Sequence, residues 1–203
     1  DGPDERTTPR LLDTLDELGL KALFFLTTDR IDETTERGSR QAALARELAS
    51  RGHLVGNHTE THRQLPTLED TEVIHELELA SDRIETAIGS RPVLFRPPGG
   101  ARSRRTQEIA DRLGYTTVLW NIGSGDFQVR SAAEVVTTFF RVLDRREREN
   151  GERGGIVLMH DIHSRTAKML PRLLRSLNSE GYKIVHIVPK GGRTPEIDPI
   201  VVA

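Results

Sequence analysis

The 203 residues amount to one to one and a half domains on a length prior of roughly 150 each, and 54 of them are Leu, Ile, Val or Phe, enough apolar content for a packed core. With 29 basic against 31 acidic side chains the net charge is −2, which leaves no electrostatic footprint for a nucleic-acid partner. No apolar run exceeds five residues, against about 20 for a membrane helix, and the absence of Cys excludes disulfides, thiolate metal sites and Cys nucleophiles.

Helix-like and strand-like segments alternate along the chain. Residues 7–18 predict a helix, with Thr8 as its cap, Pro9 in the first turn and Leu11, Leu12, Leu15 and Leu18 on one face. Residues 21–27 predict a buried strand, 39–50 a helix and 53–57 the next strand. A long helix is expected over 67–88, stopped by Gly89. Then follow a strand at 92–95, a helix at 103–113, a strand at 115–122 and a helix at 132–143. That helix runs into a charge cluster at 144–153, read as a solvated helix end. A strand at 155–159, a helix at 166–177 and a strand at 182–188 complete the pattern. Residues 1–190 read as one domain and 191–203, with Gly, Pro and no helical period, as a tail or linker. Strict alternation implies parallel strands with helical crossovers, in an α/β barrel or a doubly wound sheet. Because Asp1-Gly2-Pro3 leads straight into a helix, a first strand is expected upstream of residue 1.

Chemistry-bearing residues gather just after the strands, where parallel α/β folds place their sites. His58 and His62 follow the strand at 53–57, in an H-x-x-x-H spacing that on one helical turn would present two imidazoles to one metal. Two surface histidines four apart are common, so a third ligand is needed, and Asp1 is the candidate. Arg96-Pro97-Pro98-Gly99-Gly100 follows the strand at 92–95, with the prolines stiffening the segment and the glycines letting a backbone N–H approach a ligand. Asp126 lies past the strand at 115–122, and His160 and Asp161 directly after that at 155–159. His163 reads as structural or secondary, and His53, His75 and His186 as ordinary positions.

Together these motifs resemble the polysaccharide deacetylases of the NodB-homology type, carbohydrate esterase family 4. Asp1-Gly2-Pro3 is similar to the end of T-F-D-D-G-P, His58-Thr59-Glu60-Thr61-His62 to H-[ST]-x-x-H, and Arg96–Gly100 to R-x-P-[YW]-G. Ser124-Gly125-Asp126-Phe127 is similar to the end of D-x-x-D-W, and Leu158-Met159-His160-Asp161 to L-x-H-D. The resemblance implies a distorted (β/α)7 barrel and a hydrolase that removes N-acetyl groups from a GlcNAc-containing polysaccharide, peptidoglycan-like or chitin-like, by metal-activated water. It also implies a divalent metal, Zn²⁺ before Co²⁺ or Ni²⁺, on Asp1, His58 and His62. His160 would then be the general acid, with Asp126 orienting it and Arg96 holding the base. Pro98, Gly99, Leu158 and Phe127 would line the substrate site, Leu158 against the acetyl methyl and the Gly99 N–H toward the oxyanion. The base itself would immediately precede Asp1, so the sequence as it stands is expected to be inactive. The expected partner is an acetylated glycan, and the expected location extracytoplasmic. Gly99 in place of an aromatic, Gly123 in place of Asp and Phe127 in place of Trp depart from the pattern. They leave open a silent glycan- or partner-binding domain, and the family also contains O-acetyl xylan esterases and linear-amide hydrolases.

Overall fold

The computed structural model describes residues 1–187, so the expected tail at 191–203 and the last residue of the strand expected at 182–188 lie outside the described residues. In chain order the elements are α1 (Thr8–Glu17), β1 (Leu23–Leu26), α2 (Glu36–Ser50), β2 (Leu54–Asn57), α3 (Asp70–Ile88) and β3 (Leu94–Phe95). They continue with α4 (Arg104–Arg112), β4 (Thr116–Thr117), β5 (Ile122–Gly123), α5 (Ala132–Asn150), β6 (Val157–Leu158) and α6 (Ser164–Ser179). The described residues fall into two compact units, one made of 1–5, 21–119 and 186–187 and the other of 6–20 and 120–185.

In the first unit β1, β2, β3 and β4 pair in sequence order and all in parallel. Parallel neighbours need a crossover, and α2, α3 and α4 supply one each. Two of these helices start away from the expected residue because capping fixes their ends. The Thr35 hydroxyl accepts the Gly38 N–H at 2.9 Å, so α2 begins at Glu36 rather than at 39. Glu69 and Glu72 form a reciprocal capping box, so α3 begins at Asp70, and residues 65–67 form a 3-10 turn ahead of it. Leu65, Val73 and Leu77 pack with Phe95, Ile109 and Tyr115 under the sheet. Each such aliphatic side chain contributes roughly 1.5–3 kcal/mol by leaving water. Gly56 in β2 is a close-approach position, since a Cβ there would lie 2.6 Å from the Phe25 ring.

In the second unit β5 and β6 form a parallel pair, with Ile122, Val135, Phe139, Leu143, Met169 and Leu173 in its core. The single strand expected at 115–122 is two. Thr116 and Val118 donate to the carbonyls of Val93 and Phe95, whereas Asn121 and Ile122 both donate to Ile156. Residues 115–122 carry no Gly or Pro that marks a change of ladder partner. Residues 144–150 of the charge cluster prove to be the end of α5, which Gly151 closes at φ 68°. Residues 182–187 alternate in exposure as extended chain does, but form no ladder among the described residues. Thr7, not Thr8, is the N-cap residue of α1. Thr8 is buried instead, and its hydroxyl donates to Asp161 Oδ2 at 2.8 Å.

Candidate active site

The first unit assembles its site at the C-terminal ends of three neighbouring strands. The Asp1 main-chain nitrogen donates to the Phe25 carbonyl in β1 at 2.8 Å. His58 follows β2 directly, and Arg96 follows β3. Ligand atoms of Asp1, His58 and His62 all lie within 4.8 Å of one another. His58 Nε2 is 3.1 Å and His62 Nε2 3.5 Å from the same oxygen, Asp1 Oδ1.

This donor set fits a divalent cation. His58 Nδ1 lies 2.6 Å from the Arg96 carbonyl, which only accepts, so Nδ1 carries the proton. Burial, foremost among several causes, holds this imidazole well below the usual histidine range, which keeps the ring neutral. Its Nε2 therefore turns a lone pair toward the Asp1 carboxylate, an arrangement that calls for a cation between them. Tetrahedral bonds of about 2.0–2.2 Å would put ligand atoms roughly 3.3–3.6 Å apart, close to the spacings here.

The two histidines do not meet on a helical turn, as their spacing suggested. Residues 58–62 form a loop in which Thr59 and His62 have φ of 68° and 61°. Left-handed conformations cost non-glycine residues about 1–3 kcal/mol each, so the surroundings must hold them. Thr59 N–H donates to Asn57 Oδ1 at 2.7 Å, and the His62 N–H donates to Thr59 Oγ1 at 3.1 Å. Asn57 is itself fixed, since its amide donates to the Leu77 carbonyl and to the hydroxyls of Ser81 and Tyr115. Arg96 is 8% exposed, donates from Nε to the Val118 carbonyl at 3.0 Å, and stacks 4.3 Å from the Phe25 ring centroid. Burial lowers its pKa to about 10, so it stays charged near neutral pH. Pro98 is buried in a 3-10 turn, and Gly99 beside it has φ 60°. A Cβ at Gly99 would meet nothing within 4 Å, so backbone conformation, not space, disfavours the aromatic there.

In the second unit Asp126 follows β5 and His160 follows β6. Asp126 is fully buried, and its Oδ1 lies 2.7 Å from His160 Nδ1. Its Oδ2 accepts the His160 main-chain N–H and the Thr166 hydroxyl, both at 2.7 Å. Burial alone would raise the Asp126 pKa, but the His160 and Thr166 hydrogen bonds outweigh it and hold the carboxylate below its usual range. An ionised Asp126 only accepts, so the His160 Nδ1 beside it carries a proton. Phe127 is 54% exposed and sets its ring edge-on to His160 at 5.3 Å, and the His163 ring lies 5.8 Å from that of His160. Leu158 sits partly buried in β6 opposite Gly123. Burial pushes the His163 imidazole below its usual range. His53 is structural, its Nδ1 accepting the Ala22 N–H at 3.1 Å. Sequence reasoning missed Thr166, Arg165, whose Nε donates to the Asp126 carbonyl, and the Arg96 carbonyl on His58. These contacts join residues 38 to 40 positions apart, which no local spacing reveals.

A family model described as polysaccharide deacetylase matches residues 1–118, a span that contains Asp1, His58, His62 and Arg96 and stops short of Asp126 and His160. The chain is 31% identical over 187 residues to the peptidoglycan-N-acetylglucosamine deacetylase PgdA of Listeria monocytogenes, covering 92% of this chain and 36% of that protein. It is 29% identical over 187 residues to the peptidoglycan-N-acetylmuramic acid deacetylase PdaC of Bacillus subtilis, with the same coverage of 92% and 36%. It thus spans about a third of the length of these relatives. Among solved structures, a family 4 carbohydrate esterase from Streptomyces lividans matches at a TM-score of 0.77 and 27% identity, over 96% of this chain and 92% of that one. A CE4 family pseudoenzyme from Bacillus anthracis matches at a TM-score of 0.74 and 27% identity, over 86% of this chain and 57% of that one. The fold is that of the CE4 structures, α/β with parallel strands, as the alternation and the motifs led one to expect.

Proposed function

The chain belongs to the polysaccharide deacetylase family, and on that premise we propose that it removes N-acetyl groups from a GlcNAc-containing cell-wall or chitin-like polysaccharide by metal-dependent hydrolysis. One observation carries the reading: a neutral His58 turns its Nε2 lone pair toward Asp1 while His62 approaches the same oxygen. Asp1, His58 and His62 would hold the cation, with zinc suited to two nitrogens and a carboxylate. Such a cation, when bound, acidifies water and polarises the acyl carbonyl.

The chain's own residues would do the rest. His160 would deliver a proton from Nε2 to the leaving nitrogen, because an amine is expelled only once protonated. Asp126 would keep Nε2 outward and stabilise the charged imidazolium through its bond to Nδ1. Arg96 would pair with the carboxylate base that the family pattern puts just before Asp1. The Gly99 N–H would donate to the oxyanion, Leu158 would meet the acetyl methyl, and Pro98 and Phe127 would flank the sugar. Relatives named for peptidoglycan deacetylation support a cell-wall substrate and action outside the cytoplasm. No helix among the described residues is long and apolar enough to cross a membrane.

Acetate release from N-acetylglucosamine oligomers, peptidoglycan and acetylated xylan tests the proposal, on this chain and on one extended upstream of Asp1. Release from the N-acetyl substrates by the extended chain, lost on chelation and restored by zinc, is the expected result. Faster release from xylan would reassign the chain as an O-acetyl esterase. A second reading, a silent glycan-binding domain, draws on the missing aromatic at Gly99 and the likeness to the B. anthracis pseudoenzyme. It gains if the extended chain binds metal and releases acetate from none of the three.

A further inference from the structure

We infer that Glu76, on α3, is a positioning residue that fixes the loop between the two histidines and thereby sets how tightly a divalent cation is held. The inference rests on the reading that Asp1, His58 and His62 hold that cation. The loop carries two left-handed non-glycine residues, Thr59 and His62, and such a backbone persists only where it is over-determined.

The hydrogen bonds show what determines it. His58 N–H donates to the Leu26 carbonyl, Thr59 N–H to Asn57 Oδ1 and His62 N–H to Thr59 Oγ1. The remaining two end on one residue outside the loop. Glu60 N–H donates to the Glu76 carbonyl at 3.1 Å, and Thr61 N–H to Glu76 Oε2 at 2.9 Å. The Thr61 hydroxyl donates to the other carboxylate oxygen, Glu76 Oε1. Glu76 therefore grips the two residues before His62 through its main chain and its side chain together. The Thr59 and Glu60 carbonyls accept from the Thr28 and Asp29 N–H groups at the other end of the loop, but Glu76 is 4% exposed while Thr61 and His62 are exposed, so Glu76 is what holds the Thr61 side. Glu76 lies 15 positions from Thr61, outside the H-x-x-x-H motif, and the chemistry of hydrolysis gives it no other task.

Groups that orient a metal ligand typically alter affinity about 10–100-fold when removed. Glu76→Leu keeps bulk and removes both side-chain acceptors. Glu76→Gln keeps an acceptor for the Thr61 N–H and offers a donor to its hydroxyl. Co²⁺ is titrated into each protein, and its visible absorption and its affinity against a competing chelator are read alongside far-UV circular dichroism. Glu76→Leu is expected to weaken Co²⁺ about 10–100-fold and change its spectrum, with Glu76→Gln restoring both to within about threefold. Wild-type affinity and spectrum in Glu76→Leu would overturn the inference. If Glu76→Leu does not fold, Thr61→Val reads the same contact at an exposed position. Weaker Co²⁺ binding then supports the inference and unchanged binding overturns it. If the wild-type chain binds no Co²⁺, the metal reading fails separately, and amide hydrogen exchange at Thr61 tests the grip alone. Faster exchange in Glu76→Leu supports it, and equal exchange overturns it.

Discussion

At Asp126 two large effects compete, and the hydrogen bonds win. Full burial disfavours the carboxylate, yet three donors from His160 and Thr166 hold it ionised. Its folded pKa is depressed, so the unfolded chain takes up the proton first as pH falls. The stability that Asp126 contributes is thus present above about pH 4 and lost as pH falls through the lower folded value. Asp126→Asn does not titrate. The difference in urea-unfolding free energy between wild type and Asp126→Asn should narrow as the pH is lowered from about 5, and a constant difference would contradict the assignment. The same substitution should lower turnover about 10³–10⁴-fold, because an amide can hold His160 in the wrong tautomer. The motif around Asp126 and the L-x-H-D run made this pair legible in the sequence. Thr166, the third donor, was invisible because nothing local links it to Asp126.

At the scale of elements, β2 and the loop after it do most to shape the site. The strand and α3 could be read from apolar pattern and the histidine pair from its spacing, but the loop's backbone could not. H-x-x-x-H suggests a helical turn, whereas Thr59 and His62 are left-handed and held by partners on α3 and β2. Glycine in β2 has a similar hidden reason. A Cβ at Gly56 would lie 2.6 Å from the Phe25 ring and 3.0 Å from the Leu94 carbonyl. Phe25 is also the ring on which Arg96 stacks. Gly56→Ala should therefore destabilise the protein by about 1–3 kcal/mol in chemical denaturation, the cost of overpacking. A stability within about 0.5 kcal/mol of wild type would show that Phe25 shifts freely.

For the whole molecule, alternation of helix and strand was enough to give a parallel α/β fold, and the order of five short motifs was enough to point to the family. The division into two units was not legible, because no Gly or Pro marks the switch of ladder partner between Thr117 and Ile122. That division puts the candidate metal donors on one unit and the His160–Asp126 pair on the other, so each proposed role has a test of its own. Zinc content and acetate release, measured on the same samples of His58→Ala and His160→Ala in the upstream-extended chain, test the central claim. The account predicts that His58→Ala loses metal and release together, while His160→Ala keeps its metal and loses about 10²–10⁴-fold in release. Normal release from His160→Ala, or release from metal-free His58→Ala, would contradict it.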